Sequence, residues 1–392
     1  MPPRGGVRVP GVAPGGLTPA AGGAPGGLTP AAGGAPGGRT PAAGGAPGGG
    51  SHGASGPSAD STPAVGVTPG GGSHAASNPA ADGFRATGVA PREGHSGVPG
   101  WLPCSDRAIE RGDPLAGTAG FGERWLLVEI ESGWGRHAFF DSDLDPALGA
   151  RIVARAEAEG IRPLAIRRTR LRAPQRRDQS SWRWALVDCR PGRESVRWGR
   201  VDDPAELLDV PLDGTAGEPS AAPIYAVCTH ARHDQCCAVR GRPVVETLAA
   251  AHPEVTWECS HLGGDRFAAT MIVFPHGLHY GRVTAERAET IVDRYAEGRV
   301  VPDLLRGRTA LTTVAQAAEA FARDDTGDDR IGAFRVLSER PHPHGWTVEL
   351  EHNGDRLTVE VGERLSEPML STCAATLAHP VREFVPVSVA RR

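Results

Sequence analysis

Residues 223–243 read PIYAVCTHARHDQCCAVRGRP, and residues 255–274 read VTWECSHLGGDRFAATMIVF. These two runs hold four of the seven cysteines, Cys228, Cys236, Cys237 and Cys259, together with His261. Ile224–Cys228 is a short apolar run and reads as a strand that ends on its cysteine. A polar loop follows over Thr229–Gln235. Pro243 suits the first turn of a helix carrying Val244, Val245, Leu248 and Ala249, which stops before Pro253. On that reading Cys236 and Cys237 lie in the turn just ahead of the helix. Val255–His261 is the next strand, and its alternation puts Val255, Trp257, Cys259 and His261 on one face. Gly263-Gly264 predicts a tight turn with positive φ. Phe267–Phe274 and Leu278–Val283 form a hairpin, and Thr284 caps a closing helix that runs to Gly298.

The order strand, helix, strand, strand, strand, helix is that of a thioredoxin-like α/β domain. In open α/β sheets, ligands collect beyond the carboxyl ends of the strands. Cys228, Cys237 and His261 each fall at such an end, so donors far apart in sequence are expected to meet there.

The region before it repeats the pattern. Trp125–Glu131 reads as a strand. Asp145-Pro146 supplies an N-cap and a first-turn proline for a helix with Leu148, Ile152, Val153 and Ala156 on one side, closed by Gly160. Ile161–Arg168, Trp182–Cys189 and Val196–Val201 complete strand, helix, strand, strand, strand. The shared order suggests a copy of the second region without its ligands.

Other stretches carry less chemistry. The unit GGLTPAAGGAP at 15–25 recurs at 26–36 and, with Arg39 for Leu, at 37–47; GGGSHGAS at 48–55 recurs as GGGSHAAS at 70–77. Such sequence has too few large apolar side chains to offset the entropy of ordering, so disorder is expected over residues 1–98. The predicted organisation continues with an α/β lobe over 99–215, the thioredoxin-like domain over 216–302 and a small α+β appendage over 303–392. In that appendage, Asn353-Gly354 is a strong hairpin signal between alternating strands. Cys104, Cys189 and Cys373 stand isolated and read as structural. His276 and His279 flank a hairpin turn, and the pair His342 and His344 lacks a third ligand.

Net charge is −4, which gives no general pull toward nucleic acid. The first residues lack an apolar signal core and no run is long enough to span a membrane, so a cytoplasmic protein is expected, without nucleic-acid or membrane partners. In a reducing compartment seven cysteines favour metal binding over a disulfide framework. The basic run RRTRLRAPQRR at 167–177 reads first as a solvated loop and second as a docking patch for an acidic redox partner. In the second case, neutralising Arg167, Arg168, Arg176 and Arg177 weakens partner reduction at low salt.

The chain resembles the sucrase/ferredoxin-like family, whose cluster-binding half is similar to a thioredoxin-like [2Fe–2S] ferredoxin. The resemblance rests on DPLAGTA at 113–119 with WLLVE and GWG after it, on CTHARHDQCCAVRGRP at 228–243, and on ECSHLGGDRFAA at 258–269. It implies a [2Fe–2S] cluster and single-electron transfer between donor and acceptor proteins that the chain does not name. No glycosidase pair of carboxylates is visible, so a sucrase is not expected. By the resemblance the C-x8-C pair is Cys228 and Cys237, and the first His of H-x3-H is His261. Asp265 stands where the second His is expected. The fourth ligand is therefore open between Cys259, Asp265 and Cys236. Cys259 ranks first as the softer donor on the face of His261, Asp265 follows as a harder oxygen ligand, and Cys236 is last because neighbouring side chains point apart. Two colourless alternatives remain. One is a structural Cys3His zinc site serving a binding or adaptor domain, although no CxxC occurs. The other is a thiol-redox domain using Cys228 or Cys236-Cys237 near Arg232 and His233.

Overall fold

The computed structural model describes residues 102–169 and 181–391. The predicted disorder of residues 1–98 and most of the basic run, Arg176 and Arg177 included, lie outside the described residues. The chain begins with helix α1 (Cys104–Glu110), strand β1 (Arg124–Glu129), helix α2 (Pro146–Ala158), and strands β2 (Ile161–Arg167), β3 (Trp182–Asp188), β4 (Ser195–Val201) and β5 (Glu218–Ser220). It continues with β6 (Ile224–Cys228), α3 (Gln235–Ala251), β7 (Thr256–Cys259), β8 (Met271–Phe274), β9 (Leu278–Tyr280) and α4 (Ala285–Ala296). Last come β10 (Leu305–Arg308), α5 (Thr313–Thr326), β11 (Arg335–His342), β12 (Gly345–His352), β13 (Asp355–Leu365) and β14 (Arg382–Arg391).

Local sequence accounts for most of these elements. The Asp145 side chain accepts the Leu148 N–H at 2.8 Å and Pro146 opens α2, while Gly160 takes φ +65° just past its end. Asn353 and Gly354 take φ +54° and +90° between β12 and β13, which only a primed hairpin turn requires. One local reading needs correction. Helix α3 starts at Gln235 rather than near Pro243, because Asp234 is its N-cap and accepts the Cys236 N–H at 2.8 Å. Cys236 and Cys237 are thus in the first turn of the helix. Pro243 and Val239 both lie on the exposed side of α3, where the helix tolerates the missing N–H and continues. The strand expected over Val255–His261 is shorter, ending at Cys259, with His261 two residues beyond it.

One sheet of ten strands runs β10-β9-β8-β6-β7-β2-β1-β3-β4-β5. Within it β2-β1-β3-β4 and β7-β6-β8-β9 have the same order, with β1 parallel to β2 and β6 parallel to β7. The two regions are therefore built to one plan. They join edge to edge where β2 pairs antiparallel with β7 through only two residue pairs, Ile166 with Cys259 and Arg167 with Glu258. The regions predicted over 99–215 and 216–302 share this sheet, and β10, expected in the appendage, extends it beside β9.

The sheet does not stay flat. Trp125 of β1 meets Phe274 of β8 at 5.4 Å between ring centroids, and Trp198 of β4 stacks on Trp257 of β7 at 5.2 Å. Each pair is four strands apart in the order, about 19 Å along a flat sheet at ~4.8 Å per strand. The sheet therefore folds over at its short seam. Trp125, Leu127, Ala226, Cys228, Trp257 and Cys259 form one core enclosed between the two halves. Helix α2 covers the outer face of the first half, and α3 and α4 cover that of the second. The remaining strands make a separate antiparallel sheet, β11-β12-β13-β14, packed on α5. Among the described residues no helix is long and apolar enough to cross a membrane.

Candidate metal centre

Strand β6 carries Cys228 to the rim of the sheet and helix α3 brings Cys237 back to it. The approach is close because Gly241 lies against the end of β6. A Cβ at Gly241 would stand 2.2 Å from the Cys228 carbonyl oxygen, so the helix packs here only without a side chain. His261 arrives from the segment after β7. The donor atoms of Cys228, Cys237 and His261 all lie within 4.8 Å of one another. Asp265 is beside them: its Oδ1 accepts from the Cys237 thiol at 3.2 Å and is 3.0 Å from His261 Nδ1. The His261 contact is a close charge pairing rather than an aligned hydrogen bond.

His233, outside the ligands predicted from the sequence, stacks its ring on His261 at 3.7 Å between centroids. His233, His261 and Asp265 form a second group with donor atoms within 4.8 Å. The signal was present in the spacing Cys228-x4-His233-x3-Cys237, which the C-x8-C pattern hides. His230 supports the arrangement from behind. Its Nε2 is 2.7 Å from the Gly135 carbonyl and its Nδ1 accepts the His261 N–H at 3.3 Å.

The other two candidates are not brought to this point. Cys259 pairs in register with Cys228, but its thiol is not in the donor group and sits in the core between the halves. Burial pushes that thiol well above the usual range. Cys236 follows the helix geometry: successive residues turn by about 100°, so with Cys237 facing Cys228 its sulfur points elsewhere.

The electrostatics suit a cation or an electron-poor centre. The close Cys237 sulfur, against the opposing effect of burial, holds Cys228 well below the usual thiol range; His261 adds to the effect. Cys237 in turn is raised, first by the neighbouring Cys228 and then by burial. Burial alone would lower His261, but Asp265 and the Cys228 sulfur outweigh it and raise it to about 9. Burial, then the charge of His261, lowers His233 to about 4, which keeps this imidazole neutral and free to ligate. The first turn of α3 adds its own positive end.

The loop that carries His261 and Asp265 is clamped from below. Gly263 and Gly264 take φ +94° and +79°. Buried Arg306 donates to the Gly263 carbonyl at 2.8 Å and to Thr118 Oγ1 at 3.1 Å, and stands 2.9 Å from His279 Nε2. A Cβ on Gly264 would meet this guanidinium at 2.5 Å. The DPLAGTA signature therefore acts as a support: Thr118 holds Arg306, and Asp113 pairs with Arg266 at 3.2 Å. His279 belongs to this clamp, and His276 bonds the Tyr295 hydroxyl at 2.7 Å. His342 pairs with Glu360 on the second sheet.

Two thiols and an imidazole in one group, joined through His261 to a second group with His233 and Asp265, fit a soft or borderline transition-metal centre. The sucrase/ferredoxin-like family model matches residues 115–307. Among curated proteins none is significantly similar to this chain. Among solved structures there is a cysteine-to-serine variant of the thioredoxin-like [2Fe–2S] ferredoxin from Aquifex aeolicus. It is 19% identical over 21% of this chain and 97% of its own, with a TM-score of 0.19. Through residues 115–307, which span both halves of the folded-over sheet, the chain is similar to the sucrase/ferredoxin-like family.

Proposed function

We propose that this chain is an electron carrier whose [2Fe–2S] cluster is held by Cys228, Cys237, His261 and His233. The observation that carries the reading is the convergence of Cys228, Cys237 and His261 within 4.8 Å at the strand ends. His233 is taken as the fourth ligand because a neutral imidazole is the softer donor, whereas Asp265 is already committed to Cys237 and His261. Asp265 then orients His261, as carboxylates commonly orient ligating histidines, and leaves Nε2 for the metal. When bound, such a cluster accepts and releases one electron at a time, and imidazole ligands in place of thiolates raise its potential. The chain's own residues set access: His261 is about a quarter exposed, while Cys228 and Cys237 are sealed from water. Electrons therefore enter and leave on the histidine side, between redox partner proteins, with neither nucleic acid nor membrane required.

Aerobic purification of the full chain tests this. The expected product is reddish-brown, with iron and acid-labile sulfide in equal amounts. Cys228→Ser and Cys237→Ser remove the visible absorption, and Cys189→Ser retains it. A colourless protein with zinc bound through Cys228 and Cys237 would overturn the electron-transfer reading in favour of a zinc-stabilised binding domain.

A further inference from the structure

Cys236 faces away from the centre just described and into another group of thiols. Its sulfur is 3.5 Å from that of Cys104 and 3.1 Å from that of Cys373, and the latter two are 3.6 Å apart. These residues come from α1, from the first turn of α3 and from the connection between β13 and β14. Asp234 binds the arrangement together. Its Oδ1 accepts the Cys236 N–H at 2.8 Å and its Oδ2 accepts the Cys373 N–H at 2.7 Å. The three sulfurs and a carboxylate oxygen of Asp234 all lie within 4.8 Å of one another. Cys104, Cys236 and Asp234 are buried and Cys373 is partly exposed.

The spacing selects a single ion. With zinc–sulfur bonds of about 2.3 Å, the sulfurs of a tetrahedral site stand ~3.8 Å apart. The observed edges of 3.5, 3.1 and 3.6 Å lie at or somewhat inside that spacing and are too tight for thiolates on separate irons of a cluster. A carboxylate has about four lone-pair sites, so Asp234 keeps capacity for a metal after accepting two N–H groups.

The location also fits a staple. Residues 366–381 connect β13 to β14 with a single isolated bridge, Met369 to His379, and Leu377 is 80% exposed. A connection of this length with so little apolar anchoring gains most from a cross-link.

We propose that Cys104, Cys236 and Cys373 bind one zinc(II) ion, with Asp234 as the fourth donor, and that this ion fastens the β13–β14 connection to the first turn of α3. Binding displaces the remaining thiol protons to solvent and changes no oxidation state. The site does not depend on what Cys228, Cys237 and His261 hold. It would, however, fix the helix turn from which Cys237 reaches that centre.

Zinc is counted per chain by mass spectrometry in the purified full-length protein and in single variants. One zinc is expected in the wild type, in Cys228→Ser and in Cys189→Ser. It is expected to be lost in Cys104→Ser and in Cys373→Ser, with Asp234→Asn reducing affinity by about 10–100-fold. Visible absorption from the first centre persisting in Cys373→Ser shows that the chain still folds. Protein produced in cobalt-supplemented medium should show a thiolate-to-cobalt band that vanishes in Cys104→Ser. Absence of zinc from the wild type, zinc that follows Cys228 rather than Cys104, or a Cys236–Cys373 disulfide in the isolated protein would each overturn the proposal.

Discussion

His233 and His261 stack face to face at 3.7 Å, and most of the chemistry of the first centre turns on that pair. Replacing a neutral imidazole by a thiolate makes a cluster more negative and harder to reduce. His261→Cys is therefore expected to keep a coloured centre and lower its potential by on the order of a hundred millivolts or more, measured by redox titration. His233→Ala should bleach the protein or shift its spectrum, whereas His276→Ala, whose ring bonds Tyr295, should do neither. An unchanged potential in His261→Cys would remove His261 from the ligands. The donor types at this scale were legible in the sequence: Cys228, Cys237, His261 and Asp265 all come to the site. The role of His233 was not, because the longer C-x8-C pattern hides its spacing to both cysteines inside what reads as a polar loop.

At the scale of the element, helix α3 distributes its two adjacent cysteines between two places. Its start sets which goes where, and Asp234 sets the start. Proline is usual in a first turn, so Pro243 predicts a later start and puts Cys236 and Cys237 in a loop with no defined direction. The Asp234 cap was the signal that would have resolved it. The helix also has to lie flat against β6. Gly241→Ala inserts a methyl 2.2 Å from the Cys228 carbonyl oxygen, a backbone atom with little room to yield. The expected cost is about 1–3 kcal/mol, measured by denaturant unfolding, with cluster content falling as Cys237 is pushed from Cys228. Full occupancy and unchanged stability in that variant would show that the helix can slide.

For the whole molecule, the short seam between β2 and β7 governs how the two halves face each other. Arg167 Nη2 bonds Glu258 at 2.6 Å across it, and its guanidinium lies 4.1 Å over the Trp134 ring. Thr229, next to Cys228, donates to the same Glu258 oxygen at 2.8 Å. Arg168 stacks on Trp257 at 3.7 Å and bonds the Pro253 and Glu254 carbonyls. These two arginines thus belong to the fold rather than to a solvated docking patch. Arg167→Ala is expected to cost about 1.5–3 kcal/mol of stability at any ionic strength, measured by denaturant unfolding. A variant with wild-type stability whose partner reduction is impaired only at low salt would restore the docking role.

The sequence by itself determined the alternating strands, the capped helix α2, the Asn353-Gly354 hairpin, the repeated strand–helix–strand plan and the residue types available to a metal. Each is written within a few neighbouring residues, as a period, a cap or a turn. Only the tertiary structure decided that the sheet folds at a two-pair seam, that Cys259 fills the core while Asp265 joins the site, and that Cys104 meets Cys373 across 269 positions. Those outcomes depend on strand order and on which way a helix faces. They are settled by burying Trp125, Trp198, Trp257 and Phe274 together, and no local pattern encodes that packing.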